Sequence, residues 1–331
     1  NLAGIFQFES HIAKMIVQHI QPSSLIELAN VSALIRPGCL SVFAHRSYRS
    51  HKKSEWNREE YPVWKDWANY GVPDELIHRF DETYGIPLYQ EQIMMLVNQL
   101  GELSLNDTNK LRKMFNIAKK LPEHLEFIEK AKGMFLTRAG AKIGEPLARQ
   151  WWETVVKNLD YTFNKSHALA YAELAYKQLY LKTYYPLEFY YSLLKNTDPT
   201  KGTTDTDFRI ADAALKNYMQ EAKRYGIHTL PPDINRSLMS FEIVSDTELM
   251  FGLSQVKGVG PVAAHDIIDR RPYADFDEFL QKHFPKKKAK DQKASKVTSR
   301  AMDGLIFAGA FNAFGKKNAP AKMRPSIALD V

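Results

Sequence analysis

Cysteine occurs once in the 331 residues, at Cys39. That excludes an intrachain disulfide framework and a cysteine-built zinc site. A reducing compartment, the cytoplasm, is therefore expected. No apolar run approaches the ~18–20 residues of a membrane span, so no membrane association is expected. The opening Asn1-Leu2-Ala3-Gly4-Ile5-Phe6 has no basic region followed by an apolar stretch, which argues against a signal peptide. It also lacks a starting methionine, as in a chain processed or cut from something larger. The ten histidines contain no His-Glu-x-x-His run and no ligand spacing with Cys39. Paired carboxylates are equally scarce. Asp205-Thr206-Asp207 imitates a two-metal motif, because carboxylates two residues apart can meet one magnesium ion. It stands before an amphipathic pattern, however, and reads as a helix cap. Tyr89-Gln90-Glu91-Gln92 offers one carboxylate, with no second acid for proton transfer. It reads as the start of a helix, and no metal set is expected anywhere in the chain.

What is present is helical spacing and positive charge. Lys and Arg number 45 against 38 Asp and Glu, giving +7 and a pI near 9.1, a balance suited to a polyanionic partner. Apolar residues recur with helical period over 8–20, 25–34, 86–101, 105–120, 122–137, 145–158, 166–184 and 186–195. Ser23 or Ser24 can cap the second of these, and Arg36-Pro37-Gly38 stops it. Residues 45–65 are polar, basic and aromatic and read as an exposed excursion. The polar stretch 197–206 reads as a linker between a domain over 1–196 and a second over 207–316, with a disordered tail at 317–331. In the second domain a helix over 207–225 ends at Gly226, and strand-like runs follow at 240–244 and 248–253. Two short helices flank Lys257-Gly258-Val259-Gly260. Residues 285–300 read as a mobile basic loop, ahead of a last helix over 301–311. The expected fold is mainly α, a multi-helix domain followed by a small α+β region.

Three segments can carry chemistry. The Gly258-Val259-Gly260 turn, at the start of a helix, lets backbone N–H groups and the positive helix end meet a phosphate, with Lys257 as an added cation. The alternative is a plain connector between two helices. Phe163-Asn164-Lys165-Ser166-His167 opens another helix, with Asn164 or Ser166 as cap and two cations beside an anion-favouring terminus. It is either a phosphate clamp or an ordinary capped helix. Arg112 and Lys113 lie on a basic helical stretch that either grips phosphate or is simply solvated.

The order of the motifs resembles the bacterial C-family DNA polymerases, the group of the polymerase III alpha subunit. The resemblance rests on Gly4-Ile5-Phe6-Gln7-Phe8-Glu9-Ser10, Ile35-Arg36-Pro37-Gly38, Tyr84-Gly85-Ile86-Pro87-Leu88-Tyr89-Gln90-Glu91-Gln92 and Leu111-Arg112-Lys113. It continues through Phe163-Asn164-Lys165-Ser166-His167, Pro231-Pro232-Asp233-Ile234-Asn235, Lys257-Gly258-Val259-Gly260 and Ala308-Gly309-Ala310-Phe311. It implies a fingers domain followed by a helix-hairpin-helix domain. Arg112, Lys113, Asn164, Lys165, Ser166 and His167 would then hold the incoming dNTP. Gln7, Glu9, Ser10, Arg36, Gln90 and Glu91 would support the active site. Lys257, Gly258, Val259 and Gly260 would bind primer-template DNA.

The family's catalytic aspartates lie in a palm ahead of the Phe6–Ser10 element, so magnesium would be bound by residues absent here. A palm-bearing chain or segment is the expected partner, and a sliding clamp would be met through regions also absent. The chain departs from the family at Cys39, where proline is usual, and at Lys113, where arginine is usual. It also departs at Thr162, where glycine is usual, and along 111–120, which is two residues longer. A noncatalytic DNA-binding remnant of such a polymerase is the alternative.

Overall fold

Side-chain caps set many of the helix starts. The hydroxyls of Ser10 and Ser24 accept the amides of Ala13 and Glu27, opening α1 (His11–Ile20) and α2 (Leu25–Leu34). Glu27 in turn accepts the amide and hydroxyl of Ser23, one residue before the cap. The structure is a computed structural model. It describes residues 2–36, 39–40, 43–54, 72–117, 122–159, 163–197, 204–285 and 294–315. These pack as two units, Asn1–Lys177 and Gln178–Val331. The division falls within a helix, ahead of the polar 197–206 stretch.

The first unit continues with α3 (Ala44–Lys53), α4 (Asp74–His78), α5 (Gln90–Gly101), α6 (Leu105–Ile117), α7 (Pro122–Ile143) and α8 (Glu145–Leu159), then the first part of α9 (Lys165–Tyr184). The faces of α5, α7 and α8 supply one core, with Ile93, Leu96, Val97 and Leu100 against Phe135, Ala139, Trp151 and Trp152. Burying these side chains stabilises the unit by roughly 1.5–3 kcal/mol each. Two buried amides tie the surrounding turns together. Gln92 donates to the Arg79 carbonyl and Thr83 and accepts from the Leu88 and Tyr89 amides. Asn30 donates to Tyr48 and the Glu82 carbonyl and accepts from Tyr89. Every hydrogen-bonding atom of both side chains is used, as burial demands.

The expected excursion over 45–65 is corrected in part. Residues 44–53 form α3, because Ala44 and Tyr48, four apart, bury one face against the Asn30 network. Two apolar residues in a basic run leave little periodic signal to read. The remainder of that excursion lies outside the described residues. α7 also runs six residues beyond the expected 137, through Gly140 to Ile143.

The second unit holds the rest of α9, then α10 (Pro186–Asn196), α11 (Asp205–Arg224) and a three-stranded sheet. β1 (His228–Leu230) pairs in parallel with β3 (Glu248–Met250), and β2 (Glu242–Ser245) pairs antiparallel with the other edge of β3. The two expected strands are present but shorter, and β1, three residues before Pro231, was not foreseen. Gly226, at φ 75°, ends α11 as read from the sequence. Asp207 lies in a capping box with Thr204, so Asp205-Thr206-Asp207 starts α11.

Beyond the sheet come α12 (Pro261–Asp269), α13 (Phe276–His283) and α14 (Ser299–Phe307). Val256, Val259, Ile267, Phe279, Leu305 and Phe311 are buried together at their centre. The helix expected before Lys257 is a single 3₁₀ turn, Leu253–Gln255. α14 begins at Ser299, capped by Thr298, rather than at 301, and gives way to Gly309 at φ 80°. The lysine-rich 286–293 and the expected tail at 317–331 lie outside the described residues. The fold is mainly helical, with fourteen α-helices among the described residues and one small sheet.

Candidate functional site

A two-rung parallel bridge builds the site in the first unit. Phe163 donates to the Leu88 carbonyl at 2.9 Å, and Gln90 donates to the Phe163 carbonyl at 2.9 Å. The chain segments leading into α5 and α9 are thereby laid side by side, and two helix N-termini open next to each other. Each brings amide groups and the positive end of a helix dipole. Glu91, in the first turn of α5, accepts the Lys165 amide at 3.2 and 3.1 Å and the Asn164 side-chain amide at 2.8 Å. Asn164 caps α9 by accepting the His167 amide at 2.8 Å, and its Oδ1 also takes the Ser166 hydroxyl at 2.7 Å.

Cations gather around this bridge. Arg112, from α6, donates to Gln90 Oε1 at 3.2 Å and to Asn109 Oδ1 at 3.2 and 3.0 Å. Gln90 and Asn109 are neutral, and these contacts orient the guanidinium. The Arg36 guanidinium lies 4.2 Å over the Phe163 ring. His167 stands edge-on to Phe163 and to Tyr171, and Tyr171 in turn meets Phe6 at 5.0 Å. The Lys165 ammonium differs, because it is paired with both Glu82 oxygens at 2.6 and 2.7 Å.

Five sequence motifs thus meet at one place through Phe6, Arg36, Gln90–Glu91, Arg112 and Phe163–His167. Within the first motif Phe6 joins them through Tyr171. Glu9 accepts the Gly4 amide, Ser10 caps α1, and Gln7 adopts φ 63°. Lys113 is exposed on α6, one position round from Arg112. Glu82, Asn109 and Tyr171 were not picked out from the sequence. Asn109 stands three residues before Arg112, a helical spacing that could have shown it. Glu82 meets Lys165 across 83 residues, and no local pattern announces such a pair.

In the second unit, Gly258 takes φ 91°, and a Cβ there would lie 2.8 Å from the Arg300 carbonyl oxygen. Gly304, on α14, packs so closely on the Lys257 carbonyl that it has no room for a side chain. The hairpin is therefore clamped from below by α14. Gly260 faces the other way, with open space at its Cβ position, and no side chain caps α12. Lys257 is exposed beside this helix end, and Val259 is buried. Val259 accordingly anchors the turn, while Lys257 and Gly260 are the parts presented to solvent.

The finger-domain model for the bacterial DNA polymerase III alpha subunit matches residues 1–139, and a helix-hairpin-helix motif model matches 226–321. The chain matches the DNA polymerase III alpha subunit in its finger and helix-hairpin-helix regions. Proteins named DNA polymerase III subunit alpha are similar along nearly all of it. The one from Thermus aquaticus is 33% identical over 319 residues, 95% of this chain and 23% of that protein. The Aquifex aeolicus protein is 32% identical over 319 residues, 95% and 24% respectively. The Bacillus subtilis protein is 30% identical over 329 residues, 99% and 26%. The chain spans about a quarter of the length of these relatives.

A two-magnesium centre of the kind polymerases use needs clustered carboxylates. The two at the bridge do not supply it, since Glu91 is engaged by amides and Glu82 by Lys165. Among the described residues no group of three His, Cys, Asp or Glu side chains could hold a metal ion. Nor is any helix among them long and apolar enough to cross a membrane.

Proposed function

We propose that this chain is the fingers and duplex-binding part of a DNA-directed DNA polymerase. The observation that carries the reading is the bridge between Tyr89 and Phe163, which sets Arg112, Arg36 and His167 around two adjacent helix N-termini. Such an arrangement suits a triphosphate, whose charge is met by preorganised cations. Arg112 is the principal phosphate ligand, with its fork fixed by Gln90 and Asn109. Lys113 adds a point charge. His167 and Ser166 line the same opening. Asn164, Lys165, Glu91 and Gln90 hold the two helix ends in register, and Arg36 braces Phe163. Gln7, Glu9 and Ser10 set the path of the chain that brings in Phe6.

The hairpin Lys257–Gly260 grips primer-template DNA by its backbone, without reading bases. Nucleotidyl transfer, and the magnesium it uses, belong to palm carboxylates outside these 331 residues. A sliding clamp would likewise be met outside them, and the working location is the cytoplasm. The fingers part ends ahead of the 197–206 stretch.

Nucleotide affinity in a complex reconstituted with a palm-bearing segment tests the reading. Arg112→Ala and His167→Ala each weaken dNTP binding while leaving duplex binding intact. Unchanged dNTP affinity in both would leave only a DNA-binding remnant.

A further inference from the structure

We propose that α3 and the end of α1 form a binding face for single-stranded nucleic acid. Residues 44–54 carry Arg46, Arg49, Lys52, Lys53, His45 and His51 and no acidic side chain. Lys52 is engaged by Glu27 and the Gln21 carbonyl. Among the described residues, no carboxylate pairs with Arg46, Arg49 or Lys53. Arg49 instead donates from Nη1 to Nδ1 of His19, on α1. Arginine has no acceptor, so His19 Nδ1 carries no proton and the ring is neutral. His45 stands edge-on to His19 at 6.0 Å, and its buried Nδ1 has no partner.

The cations hold one another's charge in check. Burial lowers the His19 pKa first, and Arg49, His45, Lys53 and Arg46 then lower it further. This is a site of uncompensated positive charge, and an anion would relieve it. Arg46, Ser47, Ser50 and Lys53 share the exposed side of α3 at spacings of three and four. Guanidinium, hydroxyl and ammonium are the donors proteins use on phosphate oxygens.

The single-strand assignment comes from Phe43. Its ring is 53% exposed at the start of α3, and the Arg46 guanidinium lies 4.5 Å from it. Cations beside an open aromatic ring suit a strand whose bases are free to stack, whereas duplex bases are already stacked. None of these residues belongs to the bridge or the hairpin, so the inference is independent of the function proposed above.

The test is fluorescence anisotropy of the full chain with labelled oligo(dT) and, separately, with blunt duplex DNA, over a salt series. Each phosphate contact contributes about 0.7 to the log-log salt slope on a single strand, so Arg46→Gln with Lys53→Gln lowers that slope by roughly 1 to 1.5. Phe43→Ala weakens oligo(dT) binding by roughly 5- to 100-fold, the range of one base stack. Duplex binding changes little in either case. Oligo(dT) binding also strengthens as pH falls, because a bound phosphate opposes the cations that lower the His19 pKa, and His19→Gln flattens that rise. Phe43, Arg46 and Lys53 are exposed and His19 is half-buried, and unchanged thermal melting of all the variants confirms folding. Wild-type oligo(dT) affinity and salt slope in these variants would overturn the proposal, as would equal losses on single strand and duplex.

Discussion

Lys165 donates its backbone N–H to both carboxylate oxygens of Glu91, at 3.2 and 3.1 Å, across 74 residues of chain. A side chain in the first turn of one helix is thus the acceptor for the first amide of another. Glu91→Gln removes the negative charge from two helix N-termini and halves the acceptor set. The expected loss is about 1–2 kcal/mol, read as a lower midpoint in urea unfolding followed by tryptophan fluorescence. All five tryptophans lie between Trp56 and Trp152, so the signal reports the first unit.

Arg112 is predicted to act through geometry as well as charge. Arg112→Lys keeps the charge but cannot use Gln90 and Asn109 together to fix a planar fork. In the reconstituted complex it should weaken dNTP binding nearly as much as Arg112→Ala. Lys113→Ala should cost less, about threefold to tenfold, as expected of an exposed point charge.

The two hairpin glycines should separate folding from binding. Gly304→Ala drives a methyl group into the Lys257 carbonyl, and about 2 kcal/mol or more of stability is lost with duplex affinity. Gly260→Ala meets nothing within 4 Å and adopts its φ of −75° without strain, so stability changes by less than about 1 kcal/mol. Its methyl group nevertheless stands where a phosphate would approach. Duplex affinity falls while melting stays put.

Glu27 gives the first unit an acid-sensitive joint. Burial alone would raise its pKa, but hydrogen bonds from Lys52, Tyr84 and Ser23 outweigh this and lower it from 4.5 to about 2. A depressed carboxylate stabilises the fold above its unfolded value, and that stability is lost as pH falls from 4.5 toward 2. The contribution is on the order of 2–3 kcal/mol. Glu27→Gln should flatten the pH dependence of tryptophan-monitored stability in that window.

His283 gives the second unit a different window. Burial between Tyr273 and Ser295 lowers its pKa from 6.5 to about 4, against the pull of Asp266. Here the unfolded chain takes up the proton first, so stability present above pH 6.5 declines as pH falls toward 4. Amide hydrogen exchange in α12 and α13 should show opening in that range, while α5 and α7 stay protected.

Much of this was readable from local pattern. Helices with a capping serine or a period of apolar residues, such as α1 and α2, fall where their sequence places them, as does the glycine end of α11. Motif order pointed to the family before any geometry did. What could not be read is what depends on distant partners. α3 is a helix because Tyr48 reaches Asn30, and β1 is a strand because β3 lies beside it. The site motifs named the participants, yet only the Leu88–Phe163 bridge brings the segments of Gln90 and Phe163, far apart in the chain, side by side. The charge on 44–54 was visible, but its concentration on one helix face was not.

Primer extension tests the central claim most directly. The 331-residue chain is incubated with primer-template, dNTPs and magnesium, alone and with a palm-bearing segment from a relative. The account predicts no extension by the chain alone, extension on mixing, and loss of that extension with Arg112→Ala. Extension by the chain alone, or full extension by the Arg112→Ala mixture, would contradict it.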